Sequence, residues 1–279
     1  MKSKLLIFII FIVPISVLAQ KVDKSVNVMS YNIRYNNVND KENAWPNRKD
    51  NVKALIKFHD VEILGVQEAL NGQINELLLN SNFEVEGVGR DDGDKKGEYS
   101  AIFYDKSRFV KRDGGTFWLS TTPNVPSKGW DAALNRICTW LKLYDKLTRK
   151  EFMVFNTHYD HVGINARIQS ALLIKSKMIE MAANLPVILT GDLNVTPETE
   201  AISTIKSFLI DSREVSKEPA YGPIGTFNGF KFDSELKDRI DYVFVNDKFI
   251  VQKYANLTDS KDKRYYSDHL PVFVKLNFK

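Results

Sequence analysis

Apolar and β-branched residues recur in short runs, at Val26 to Ile33, Ile63 to Val66, Ser100 to Tyr104, Gly115 to Leu119, Thr139 to Tyr144, Phe152 to Thr157, Val187 to Thr190, Ile240 to Val245 and Val272 to Leu276. Runs of this length, bounded by turn formers, predict strands. Three stretches follow a helical period instead: Arg48 to His59, Gly72 to Leu79 and Ala166 to Ala183. In the last, Ile168, Ala171, Leu172, Lys175, Met178, Ile179 and Ala182 share one face with only Lys175 polar, so this face is expected to pack on a sheet. Strands this numerous, interspersed with helices, predict two stacked sheets with helices outside.

The longest irregular stretches are Asn36 to Asn47, Gly87 to Gly97, Ser120 to Ala132 and Glu214 to Asp238, all rich in turn formers. In a compact domain, long loops often carry function. No repeat, low-complexity tract or Pro/Gly/Ser-rich linker divides the chain, so residues 20–279 read as one domain.

The first residues follow a different pattern. Lys2 and Lys4 precede an apolar run from Leu5 to Val13, and Val17, Leu18 and Ala19 come just before Gln20. This reads as a signal peptide over residues 1–19, cleaved near Ala19, which predicts a secreted or periplasmic protein. The run is too short for a spanning helix, and Pro14 interrupts it, so stable membrane insertion is not expected. The single cysteine, Cys138, rules out an intramolecular disulfide and leaves stability to the core, which a chain of this size can supply. The formal net charge of +4 falls to +2 once Lys2 and Lys4 leave with the signal, so nucleic acid is permitted as a partner but not implied.

Several predicted strands end in polar residues that a buried strand has no structural reason to carry: Ser30-Tyr31-Asn32, Gln67-Glu68, Asn156-Thr157-His158, Gly191-Asp192-Leu193-Asn194, Arg239-Ile240-Asp241-Tyr242 and Ser267-Asp268-His269-Leu270-Pro271. Singly, each has a plain structural role to fill: Asn32 could close a turn, Glu68 could face a helix start, and Asp192 with Asn194 could form an Asx turn. One pocket collecting all six is the economical reading, because strand ends on a rigid scaffold are where side chains are presented to a site.

In this order the six segments resemble the endonuclease/exonuclease/phosphatase superfamily from about Val26 to the C-terminus, with Gly191 to Asn194 and Ser267 to Pro271 the most specific parts. The likeness to exported bacterial members extends to Trp45-Pro46-Asn47-Arg48, Gly115 to Ser120 and Asn156 to His161. The resemblance implies an α+β fold, a four-layer αββα sandwich of two mixed sheets, with the site at one end of both. It also implies a phosphoric ester hydrolase acting on a phosphomonoester or phosphodiester, as a monomer.

By residue type, Glu68 and Asp268 supply hard carboxylates and Asn32 an amide oxygen, a set that suits Mg²⁺ or Mn²⁺ better than zinc. His269 is the candidate general base and Asp241 its orienting carboxylate, the logic of a triad with water in place of serine. From the resemblance, Asp192 positions the water, Asn194 the phosphoryl group, and His158 binds a phosphate oxygen or helps protonate the leaving group, with Glu98 as its partner. Arg136 reads equally as a bidentate phosphate ligand or as a solvated residue at a strand start. Arg167 and His161 follow His158 closely enough to line the same rim, though helix capping and surface charge account for them as well. His59 reads as structural, and Trp118 and Trp130 as either site edge or core.

Three substrate classes compete: nucleic acid, a small phosphorylated sugar or nucleotide, and a phospholipid head group. The modest charge disfavours a dedicated duplex binder, and no amphipathic hairpin rich in exposed aromatics supports lipid. A non-catalytic binding module on the same scaffold is the alternative from another class, which the full set of site residue types argues against. A serine hydrolase is disfavoured because no Gly-x-Ser-x-Gly elbow is present.

Overall fold

The computed structural model describes residues 23–279, so the signal-peptide expectation for residues 1–19 lies outside the described residues. The first sheet runs β11 (Phe249–Asn256), β14 (Val272–Phe278), β1 (Val26–Asn32), β2 (Ile63–Ala69), β4 (Tyr99–Asp105), β3 (Phe83–Glu86). The second runs β5 (Phe109–Trp118), β6 (Ile137–Asp145), β7 (Lys150–His158), β8 (Val187–Asp192), β10 (Asp241–Val245), β9 (Ile210–Asp211). Each sheet has one parallel pair, β1 with β2 and β7 with β8, and its other pairs are antiparallel, while β12 (Ser260–Lys261) and β13 (Arg264–Tyr265) form a separate short ribbon. A parallel pair needs a crossover, and helices α1 (Trp45–Phe58) and α3 (Ile164–Ala182) supply the two.

Burial divides the molecule into three apolar layers. Val28, Ile63, Ile102, Leu141, Phe152, Val154, Ile188 and Val243 meet between the sheets. Trp45, Val52 and Leu55 of α1, with Ile74 and Leu77 of α2 (Asn71–Leu78), cover the outer face of the first sheet. Ala171, Ile174 and Met178 of α3, with Ile202 and Ile205 of α4 (Glu200–Lys206), cover the second. The result is the expected four-layer αββα sandwich.

Two sequence expectations shift. The buried face of α3 is Ala166, Ser170, Ala171, Ile174, Met178 and Ala182, while Leu172 and Ile179 are exposed. Small residues on the inner face let the helix approach the sheet closely, and this outweighs the larger apolar stripe beside them. Strand β11 went unpredicted because a bulge between Val251 and Lys253 breaks its alternation.

The topology sends the parallel strands β1, β2, β7 and β8 toward one edge of the sandwich, where the antiparallel β4, β6, β10 and β14 begin. Register then aligns their ends: Asn32 pairs with Gln67, and Asp192 with both His158 and Asp241. At this edge the interlayer core turns polar. Asn156 donates from Nδ2 to the carbonyls of Val66 and Ala101 at 2.9 and 2.8 Å, and its Oδ1 accepts from Gln67 Nε2 and Thr190 Oγ1 at 2.7 and 2.9 Å. The sheets come so close here that a Cβ on Gly65 would stand 2.1 Å from Thr190 Oγ1.

Candidate active site

The site begins at a backbone irregularity. The β2–β4 register shifts between Val66 and Ala69, and within that bulge Glu68 takes a left-handed φ of 63°. Such a backbone is costly for a residue with a Cβ and persists only where the surroundings over-determine it. Here the bulge turns the Glu68 carboxylate toward the strand ends, and Asn156 satisfies the Val66 carbonyl that borders it.

Asn32, fully buried at the end of β1, bridges the two sheets. Its Nδ2 donates to Glu68 Oε1 at 3.0 Å and to Asp192 Oδ2 at 2.9 Å. Its Oδ1 accepts the Arg34 backbone N–H at 3.0 Å. The amide nitrogen, rather than the oxygen expected as a metal ligand, therefore faces the carboxylates, because the oxygen caps the turn that follows β1. Asn32 thus closes a turn with one end of its amide and reaches the carboxylate cluster with the other. Asp192 does the same with its carboxylate, whose Oδ1 caps Asn194 N at 2.9 Å in an Asx turn while Oδ2 enters the cluster.

His269 Nδ1 lies 2.9 Å from Asp241 Oδ2, and its Nε2 lies 3.7 Å from Asp192 Oδ2. Thr226 Oγ1 holds the Asp241 backbone, and the Phe227 ring meets the imidazole edge to face at 5.1 Å. His158 approaches the same Asp192 oxygen: Nε2 is 3.0 Å from Asn194 Nδ2 and 3.5 Å from Asp192 Oδ2. The two imidazoles are driven apart in acidity. Burial alone would lower His269, but the charges of Asp241 and Asp192 outweigh it and hold the group well above the ordinary value. Burial and the guanidiniums of Arg136 and Arg90 push His158 well below it. A cation among these carboxylates would offset the negative charge that raises His269 and favour the neutral imidazole that a base requires.

Asp268 is nine-tenths buried, accepts from Ser267 Oγ at 3.3 Å and lies 3.8 Å from Arg34 Nε. Arg48 brings its segment to β1 by donating to the carbonyls of Ile33, Arg34 and Tyr266, and Ser267 Oγ adds a bond to Asn32 O at 2.7 Å. Glu98 stands 3.8 Å from His158 Nδ1, but its direct partner is Arg90, which grips it bidentately at 2.7 and 3.0 Å.

Arg136 and Arg167 lie outside the carboxylate cluster. Arg136 is buried, with Nε 3.3 Å from Asp160 Oδ2 and Nη2 3.1 Å from His161 Nδ1. Arg167 donates to the Asp160 carbonyl at 2.9 Å. Asp160 is the hub of this rim, because its carboxylate also accepts backbone N–H groups of Ala133, Leu134, Val162 and Gly163. Trp118 is buried and donates its indole N–H to the Arg90 carbonyl at 2.8 Å, so it supports the 87–98 loop from below.

Sequence reasoning missed Arg34, Arg90, Asp160 and Phe227. Arg34 could have been found, since it lies two residues beyond Asn32 in the same segment. Phe227 carries no local signal in a long irregular stretch.

The donor set fits a divalent cation. Carboxylates of Glu68, Asp192, Asp241 and Asp268 converge, and ligand atoms of Glu68, His158 and Asp192 lie within 4.8 Å of one another, as do those of Asp192, Asp241 and His269. Burial first and the Asp241 charge second push Asp192 up to about 7, and burial with the nearby charge of Glu68 raises Asp268. Negative charge crowded into a poorly solvated site would be offset by a divalent cation.

The chain resembles the mannosyl-6-phosphatase of Bacteroides thetaiotaomicron at 42% identity, with a TM-score of 0.87 over 91% of this chain and 100% of that one. An endonuclease/exonuclease/phosphatase protein of Bacteroides vulgatus is 38% identical, with a TM-score of 0.87 over 92% and 100% of the two chains. The human nocturnin catalytic domain shares the fold at 19% identity and a TM-score of 0.73, over 91% of this chain and 95% of its own. The family is generally dependent on divalent metal ions. The model of the Endonuclease/Exonuclease/phosphatase family matches residues 29–269, nearly the whole sandwich, and the chain belongs to that family.

Proposed function

We propose that this protein is an exported, Mg²⁺- or Mn²⁺-dependent phosphatase that hydrolyses the phosphate monoester of a sugar or a similarly small polar alcohol. The observation that carries the reading is the buried His269–Asp241 pair at 2.9 Å, set against the carboxylate cluster. Similarity at 42% identity to a mannosyl-6-phosphatase supports the monoester and the sugar. Export rests on the charged and apolar start of the chain.

Glu68 and Asp268, with Asp192 beside them, would hold the cation, which supplies charge stabilisation at the phosphoryl oxygens. Asp241 fixes the His269 tautomer, so that Nε2 is the atom that takes a proton from water. Asp192 and Asn194 orient that water and the phosphoryl group. His158, 3.5 Å from Asp192 Oδ2 and 3.0 Å from Asn194 Nδ2, would contact a phosphate oxygen or the leaving oxygen, while Glu98 near its Nδ1 stays paired with Arg90.

The test is phosphate release by the mature protein with Mg²⁺ from mannose 6-phosphate, p-nitrophenyl phosphate, bis(p-nitrophenyl) phosphate, single-stranded DNA and sphingomyelin. Release from the two monoesters, abolished by chelation, is expected. Turnover confined to DNA or to the phospholipid would overturn the reading.

A further inference from the structure

Arg34 is held more firmly than a surface arginine needs to be. Its backbone has a left-handed φ of 55°, which costs free energy for a residue with a Cβ. Three polar contacts enforce it: the N–H donates to Asn32 Oδ1 at 3.0 Å, and the carbonyl accepts from Arg48 Nη2 at 2.7 Å and Gln73 Nε2 at 3.0 Å. The side chain is equally constrained. Asp40 takes Nε and Nη2 at 3.0 and 3.1 Å, and the guanidinium lies over the Tyr35 ring at 4.4 Å.

This anchoring leaves one edge of the guanidinium at the mouth of the carboxylate cluster. Nη1 stands 3.7 Å from Glu68 Oε2, and Nε stands 3.8 Å from Asp268 Oδ2. Both separations exceed a hydrogen bond. A residue present only to neutralise Glu68 and Asp268 would close on them. Instead, Asp40 holds it back, about a quarter of its side chain stays exposed, and Nη1 keeps its donors for a third group.

We propose that Arg34 grips the non-bridging oxygens of the scissile phosphate and sets the preference for a monoester over a diester. The inference rests on the phosphatase reading above. A monoester near neutral pH carries close to two charges on three terminal oxygens, because its second pKa is about 6. A diester carries one charge on two. A fixed guanidinium offers paired N–H donors that match a phosphate, and it cannot lose its charge. Its removal therefore penalises the dianion more than the monoanion.

The experiment compares wild type, Arg34→Gln and Arg34→Lys at saturating Mg²⁺, reading kcat/KM for p-nitrophenyl phosphate and for bis(p-nitrophenyl) phosphate. In Arg34→Gln the monoester-to-diester ratio should fall at least about tenfold, the worth of a charge-assisted hydrogen bond, and Arg34→Lys should retain part of it. Added guanidinium ion should restore part of the monoester rate in Arg34→Gln and leave wild type unchanged. Equal losses on both esters, with the ratio kept, would assign Arg34 to charge balance and overturn the proposal. If Arg34→Gln fails to fold, Asp40→Asn releases the anchor and must lower the same ratio; an unchanged ratio there is equally fatal. Inorganic phosphate titrated into the Mg²⁺-loaded proteins by calorimetry needs no turnover, so it separates this inference from the phosphatase reading. Affinity should drop by about tenfold without Arg34, and equal affinities refute the grip even where wild type hydrolyses neither ester.

Discussion

Nδ1 of His269 meets Oδ2 of Asp241 at 2.9 Å, in a place where neither side chain is more than one-twentieth exposed. Asp241 opens β10 while His269 lies just before β14, so the two sheets each contribute one member. The pair is therefore a joint between the layers as well as a candidate base.

Because one proton transfer is divided between them, His269→Ala and Asp241→Asn are each expected to lower kcat by about 10² to 10⁴. The double mutant should be little worse than the worse single mutant, since groups serving one step are not additive. Steady-state turnover at saturating Mg²⁺ measures this. Fully multiplicative losses would place the base elsewhere, with His158 the next candidate.

Glu68→Gln keeps the shape of the bulged side chain and removes its charge. Folding should survive, while the Mg²⁺ concentration for half-maximal activity should rise at least 10- to 100-fold, roughly the cost of losing even an outer partner of a metal ligand. Circular dichroism and a Mg²⁺ titration check the two halves separately. An unchanged Mg²⁺ requirement would remove Glu68 from the cation site.

Gly65→Ala tests the close approach of the sheets. The new methyl would stand 2.1 Å from Thr190 Oγ1 and 2.8 Å from Asn156 Oδ1, so the bridge that borders the Glu68 bulge must shift. Overpacking of this kind costs about 1 to 3 kcal/mol. Urea unfolding measures it, and a variant as stable as wild type would mean the layers part easily here.

Asp160 predicts a pH dependence of stability. Burial would raise its carboxyl, but backbone N–H groups of Gly163, Ala133 and Val162, with Arg136, outweigh this and hold it well below the usual carboxylate range. A depressed folded-state pKa contributes stability that is present above the unfolded value of about 3.9 and is lost as pH falls below it. Asp160→Asn should thus be less stable than wild type at pH 7, and the gap should narrow at pH 3. Denaturation midpoints at both pH values decide, and a gap independent of pH would refute the assignment.

Read in order, the residues themselves specify most of the strands, the four layers and the polar strand ends that meet in the site, because alternation and strand-end chemistry are local properties. Asn32, Glu68, His158, Asp192, Asp241, Asp268 and His269 are all visible in the sequence for that reason. Other features depend on what lies across the interface. The bulge that turns Glu68 inward and the carboxylates that the Asn32 amide meets depend on groups distant in sequence or on a backbone twist with no sequence signature, and the capture of Glu98 by Arg90 depends on how one loop folds. The broken alternation of β11 and the buried face of α3 were decided in the same way, by register against β14 and by how closely a helix can approach its sheet. A residue's type sets the chemistry it can perform. In Asn32 and Asp192 a local turn takes one polar atom and leaves the other for the site, and what that other atom meets is decided only when the two sheets close.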